Sequence, residues 1–263
     1  MFIFVSSWAL GLKMGILVLN QMKLLKPSMQ IDYQSLGRRG QFILHFLLEK
    51  YPEEVQLVLS KHIQYQQLYK LFEVPRPVEV VQLFSRPGVE CDFGFLGANE
   101  SLVQLIDSDA DVLKQYGVTV EQVANALERV TKNSTIKNKD GITYLIDGKY
   151  WITAGGGGRT DFPNCPWGCT CKTPWGNMPV SGRVDYLVKK FDTNGKGFIK
   201  KHTDPNIKLV DQVIFSNLVI HLIREHGFFE GKDLPVTRHT DLYEKFSYRV
   251  EPLHATKMFE LAT

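Results

Sequence analysis

The pattern of residues predicts an α+β fold: a helical N-terminal half, then a β-hairpin-rich C-terminal half with a buried helix and a cysteine knuckle. Three observations carry that expectation. Apolar residues recur at helical spacing through residues 37–90 and again through 100–133. Past residue 140 the chain changes to short apolar runs flanking Asp-Gly and Asn-Gly pairs, the signature of hairpins. Three of the four cysteines then crowd into seven residues, at Cys165, Cys169 and Cys171.

The bulk numbers bound the rest. A chain of 263 residues can form one large domain or two modest ones and bury a substantial core. An apolar content of 44% with 22% charged residues is ordinary for a globular protein and argues against disorder as the main state. A net charge of +3 is too mild to indicate a nucleic-acid partner. A protein partner stays open. Cytosol is the expected compartment, because four cysteines in a chain this long are far sparser than in disulfide scaffolds.

Residues 1–29 form an apolar N-terminal segment. No Lys or Arg precedes its apolar run and no small-residue cleavage site follows, so it does not read as a secretory signal. Lys13 interrupts the run short of the roughly 20 apolar residues a spanning helix needs. It is expected either to pack as a helix on the protein or to reflect a start codon placed too early, since Met14, Met22 and Met29 can each open the chain.

Residues 30–135 read as mainly helical and 136–263 as α+β, with a composition break at 133–140 across which the two regions can still share one core. Pro52, Glu53 and Glu54 make a favourable helix start, with Pro at the first position and acids where the dipole favours them. Val55, Val58, Leu59, Tyr65, Leu68, Tyr69 and Phe72 mark a buried face. His45 and His62 lie within these helical patterns and read as core or surface histidines rather than ligands. Thr119 is the expected N-cap of the next helix, with Gln122 as its capping-box partner.

That helix and the one before it, joined at Gly117, have the cadence of a helix-turn-helix, so helices within 109–131 are a candidate protein- or DNA-binding surface. Val120, Glu121 and Gln122 supply poor base-reading chemistry, however. Hairpins are expected between 142–146 and 149–153, and between 184–190 and 198–201. A strongly apolar helix is expected from about 209 to 226.

The cysteine cluster, Cys-x3-Cys-x-Cys, is the most pointed chemical feature. Thiolates near a turn supply several zinc ligands from a short segment, and Pro166 and Gly168 suit such a knuckle. The spacing matches neither the thioredoxin centre nor the Cys-x3-Cys-x2-Cys of radical iron–sulfur enzymes. Three thiols leave a fourth ligand to be found, and His226 is the first candidate. His221, five residues earlier, falls roughly 140° around a regular helix and is set aside. The leading expectation is therefore a structural zinc site of Cys165, Cys169, Cys171 and His226.

An alternative is an enzyme acting on a phosphorylated or nucleotide substrate. The glycine loop 155–158 can present backbone N–H groups to a phosphate through Gly156 and Gly157, with Arg159 to pair it. Arg224, His226 and Glu230 of the 221–230 segment would have to converge with Arg159 on one pocket. Neither a Walker nor a Rossmann ending follows the glycines. A calcium loop at 191–199 is also incomplete, with Lys196 at a ligand position.

Overall fold

The computed structural model describes residues 38–61, 71–72, 74–132, 143–146, 149–156, 163–174, 176–182, 184–192, 208–234, 237–239 and 244–262. The expected α+β class is observed, with helices concentrated towards the N-terminus and antiparallel strands towards the C-terminus. The chain divides into two compact units, Met1–Leu83 and Phe84–Thr263, so the division falls well before the composition break at 133–140.

In the first unit α1 (Arg38–Lys50) buries Ile43, Leu44, Leu47 and Leu48, and α2 (Pro52–Lys61) buries Val55, Val58 and Leu59. Pro52 opens α2 as expected, with Glu53 and Glu54 in its first turn. His45 is buried beside Glu49 on α1. A third helix, α3 (Val78–Phe84), runs to the start of the second unit. His62, Tyr65, Leu68 and Tyr69 lie outside the described residues, as do residues 1–29.

The second unit carries the cysteine cluster. Helix α4 (Leu102–Gln115) is capped by Ser101, whose side chain accepts from the Gln104 N–H. After a turn at Gly117, where φ is 65°, comes α5 (Val120–Lys132). Its capping box is complete: the Gln122 N–H donates to Thr119 Oγ1 at 3.2 Å, and the Thr119 N–H donates to Gln122 Oε1 at 2.7 Å.

The strands are β1 (Thr143–Ile146), β2 (Tyr150–Gly156), β3 (Thr170–Thr173), β4 (Gly176–Pro179), β5 (Val184–Asp192), β6 (Lys208–Ser216), β7 (Thr237–His239) and β8 (Glu244–Phe246). Four of them form an antiparallel sheet in the order β1-β2-β5-β6. The β1–β2 hairpin is as expected, except that the paired residues Ile146 and Tyr150 flank three residues rather than two.

Two expectations are corrected. Both edges of β5 are taken, by β2 and by β6, and its expected partner 198–201 lies outside the described residues. The apolar stretch from 209 is not wholly helical either: it is strand to Ser216, and only Asn217–His226 forms helix α6. The cause is burial on both faces of the sheet. Val188 and Val213 face the main core while their neighbours Leu187 and Ile214 pack with Tyr248 in a second cluster. A doubly buried strand loses its polar alternation and resembles a buried helix.

The main core joins the helices to the sheet. Leu113 of α4 and Val123, Leu127 and Val130 of α5 pack with Tyr150, Ile152, Val213 and Phe215 of the sheet. Val219 and Ile223 of α6 belong to the same cluster, as do Ala255 and Met258 of α7 (Pro252–Met258). Residues from both sides of the composition break therefore share one core.

Beyond α6 the chain is seated by Glu100. Its carboxylate accepts from the N–H groups of Gly97, Lys232 and Asp233 at 2.6, 2.7 and 3.2 Å. A Cβ on Gly231 would stand 2.1 Å from Glu100 Oε2 and 3.0 Å from Leu96 Cα. Gly231→Ala is thus expected to destabilise the protein by about 1–3 kcal/mol through overpacking, read as a lower denaturant midpoint with unchanged slope.

Candidate metal centre

The site is assembled from a loop and one helix. The chain enters the knuckle at Pro163 and leaves at Gly182, whose N–H donates to the Pro163 carbonyl at 2.9 Å. Inside that closure the Cys165 N–H donates to the Val180 carbonyl at 2.8 Å, and the Val180 N–H donates to the Cys169 carbonyl at 2.9 Å. Both cysteines thus flank one residue of the returning chain. The turn between them is closed by the Gly168 N–H donating to the Cys165 carbonyl at 2.8 Å, with Gly168 at φ 78°, where a side chain is disfavoured.

The other half of the site is the C-terminal end of α6. Ser216 caps the start of that helix, its hydroxyl accepting from the Val219 N–H. At the far end Gly227 adopts φ 63°; its N–H donates to the Ile223 carbonyl, the bond of an αL cap, and that of Phe228 donates to the Leu222 carbonyl. His226 is the last helical residue. Asn217 ties the first turn of α6 to the knuckle's exit, accepting from the Val184 N–H and donating to the Ser181 carbonyl. The knuckle is therefore held against α6 at both ends of the helix.

Four side chains converge between them: Cys165, Cys169, His221 and His226, whose ligand atoms all lie within 4.8 Å of one another. Cys165 Sγ is 3.6 Å and Cys169 Sγ 3.3 Å from His226 Nε2. Trp167 stacks face to face on His226, with ring centroids 4.0 Å apart and planes 3° apart, and packs against Phe228. The His221 ring stands nearly perpendicular to that of His226 at 5.3 Å. His221 Nε2 is buried, with no hydrogen-bond partner among the described residues.

The electrostatics follow from burial. Desolvation, reinforced by the neighbouring Cys169 sulfur, pushes the Cys165 thiol up to about 12. Desolvation and the adjacent His221 pull His226 down to about 4. Burial also lowers His221, opposed by the nearby Glu225 carboxylate. Without a cation Cys165 is thus a neutral thiol, and burial disfavours charge on both imidazoles. With one, two thiolates and two neutral imidazoles meet a positive charge in a desolvated pocket, and the four residues can hold a metal ion.

Three of the expected ligands, Cys165, Cys169 and His226, come together here. Cys171 does not. It is exposed on β3, opposite Met178 of β4, on a strand that leads away from the knuckle. The place it was expected to fill is taken by His221. The angular argument that set His221 aside treats side chains as radial spokes. Imidazole side chains reach well beyond the helix backbone, and the two ring centroids stand 5.3 Å apart despite the angle between their positions. One signal pointed to this residue: His-x4-His lies within the spacing that pairs with Cys-x2–4-Cys in zinc sites.

The residues of the expected phosphate site and enzyme pocket do not gather among the described residues. Gly156 closes β2 opposite Val184, whereas Gly157 and Arg159 lie outside the described residues. Arg224 lines a cavity of about 500 Å³ with Glu128, Lys132, Tyr186, His221 and Glu225, but neither His226 nor Glu230 is part of it. Its guanidinium is engaged by Asn125 and Glu128 of α5, both at 2.9 Å. Glu230 is fully buried, and its carbonyl accepts from Arg249. Among the described residues no helix is long and apolar enough to cross a membrane. Comparison of the chain with family models, curated proteins and solved structures finds no match.

Proposed function

We propose that this protein binds one zinc ion through Cys165, Cys169, His221 and His226, and that the ion is structural. The observation that carries this reading is the separation of the donors. A tetrahedral zinc with Zn–S of about 2.3 Å and Zn–N of about 2.0–2.1 Å sets sulfur and nitrogen ligands about 3.6 Å apart. The two sulfurs lie 3.6 and 3.3 Å from His226 Nε2. Thiol–imidazole hydrogen bonds alone would also bring sulfur near nitrogen, but they leave the buried His221 Nε2 without a partner.

Two thiolates and two imidazoles form a closed donor set of the kind zinc favours, with no position left for substrate. The surrounding fold has use for a staple. Strands β3 and β4 form a two-stranded ribbon that is almost wholly exposed. An isolated hairpin of that kind is marginal in water. Joining its base to α6 through a metal supplies what its own burial cannot.

Metal analysis of reduced protein purified without a histidine tag tests the reading. Wild type and Cys171→Ser are expected to carry one zinc per chain, and Cys165→Ser, Cys169→Ser and His226→Ala to carry well under half. His221→Ala is expected to weaken retention against a competing chelator. Reduced wild type with no stoichiometric metal, or with iron or copper in place of zinc, overturns it.

A further inference from the structure

We infer that the zinc site is also a peroxide-responsive switch, in which Cys165 and Cys169 join as a disulfide and release the metal; this rests on the reading above. The geometry points there in three ways. The two sulfurs share one imidazole nitrogen as neighbour, and their ligand atoms fall inside the 4.8 Å group. Closing that gap to the roughly 2.05 Å of a disulfide requires side-chain rotation within a loop already bent back on itself. The Gly168 turn and the shared Val180 anchor hold both cysteine backbones in place for it.

The second pointer is graded access. Cys169 is partly exposed, whereas Cys165 is fully buried behind it. An oxidant therefore reaches Cys169 first, with Cys165 placed as the resolving sulfur. This is the arrangement that favours a disulfide over further oxidation. The third pointer is consequence. His221 and His226 belong to α6, while both sulfurs belong to the knuckle. Pairing the sulfurs removes every thiolate from the site and leaves two imidazoles on one helix, too few donors to retain zinc. The tie between the ribbon's base and the C-terminal end of α6 is lost, and the Asn217 tie at the other end remains.

The chemistry balances with a peroxide as the oxidant. The Cys169 thiolate attacks one peroxide oxygen, the O–O bond breaks, and hydroxide leaves as the sulfenic acid forms. The Cys165 thiolate then attacks the Cys169 sulfur, the S–O bond breaks, and a second hydroxide departs. Each sulfur loses one electron, and the two peroxide oxygens take up the pair. One zinc ion bound by two thiolates, with one hydrogen peroxide, thus yields one disulfide, two hydroxides and one free zinc ion.

The test uses the full chain with Cys171→Ser, which removes the exposed thiol outside the site. Zinc-loaded, reduced protein is treated with hydrogen peroxide while a chromophoric chelator reports free zinc, and peptide mass analysis maps the cysteines. The expected result is one zinc released per chain, a Cys165–Cys169 linkage two hydrogens lighter, and full reloading after dithiothreitol and zinc. Zinc retained through peroxide treatment, or released with sulfinic acid at Cys169 and no Cys165–Cys169 linkage, overturns the switch and leaves the structural site standing. If the reduced protein holds no zinc, the earlier reading fails; the same mass analysis then shows whether the pair still forms, and its absence overturns this inference as well.

Discussion

Stripping the proposed zinc with a strong chelator at neutral pH is expected to lower the melting temperature of the second unit by more than about 10 °C. Structural zinc contributes about 10–16 kcal/mol of apparent binding free energy in zinc-finger peptides. For a domain of this size each kcal/mol is worth about 2–4 °C, so even half of that range gives such a shift. Acid is expected to act in the same direction. Binding requires Cys165 to lose its proton, and its thiol stands at about 12 without the metal. Throughout the working range below that value, each such proton costs about tenfold in affinity per pH unit. His226, pulled down to about 4, carries no proton to shed at neutral pH and competes only near that value. Calorimetry with and without chelator, at pH 8 and pH 6, checks both statements. A melting temperature indifferent to chelator at both pH values contradicts them.

Arg249→Ala is expected to destabilise the protein by about 3–5 kcal/mol, the cost of leaving a buried charge without its partner. The guanidinium of Arg249 donates to both carboxylate oxygens of Asp109 at 2.6 and 3.0 Å, and also to Glu251 and the Glu230 carbonyl. Arg249 and Asp109 are both almost wholly buried. The clamp fixes the segment after β8 to α4, next to the loop that leaves the metal centre. Desolvation raises the Asp109 carboxyl even against the pull of Arg249. A raised folded pKa favours stability that is fully present below the unfolded value and is lost as pH rises through the folded one. In Arg249→Ala that effect grows, because only the weaker field of Lys232 is left to oppose the burial of the carboxylate. The variant's deficit relative to wild type is therefore expected to shrink as pH is lowered from 7 towards 5. Urea unfolding at the two pH values measures it, and a deficit that widens in acid contradicts the account.

Features set by neighbours in the chain were legible from the residues alone. The Thr119–Gln122 box needs only a hydroxyl and an amide three positions apart, and both hydrogen bonds are present. The β1–β2 hairpin needed two apolar runs around Asp147-Gly148. The expected end of the helix at 226 is likewise local, since Gly227 closes α6 in the left-handed conformation. Where the same apolar run served strand and helix in turn, local pattern failed. Residues 213–216 are buried on both faces, so their periodicity carries no sign of which element they form.

The candidate metal centre divides along the same line. By itself the sequence determined that thiols at 165 and 169 lie one tight turn apart and that His226 ends a helix, because a glycine turn and a helix cap are decided within a few residues. Tertiary structure alone decided which further donors meet them. Spacing could not show that β3 carries Cys171 out to solvent, nor that the rings of His221 and His226 close on one point. Those outcomes depend on how the knuckle docks against α6, through Asn217, Trp167 and the shared core. Ligand convergence is a distance between separate elements, and chain spacing constrains that distance only after the fold has placed them.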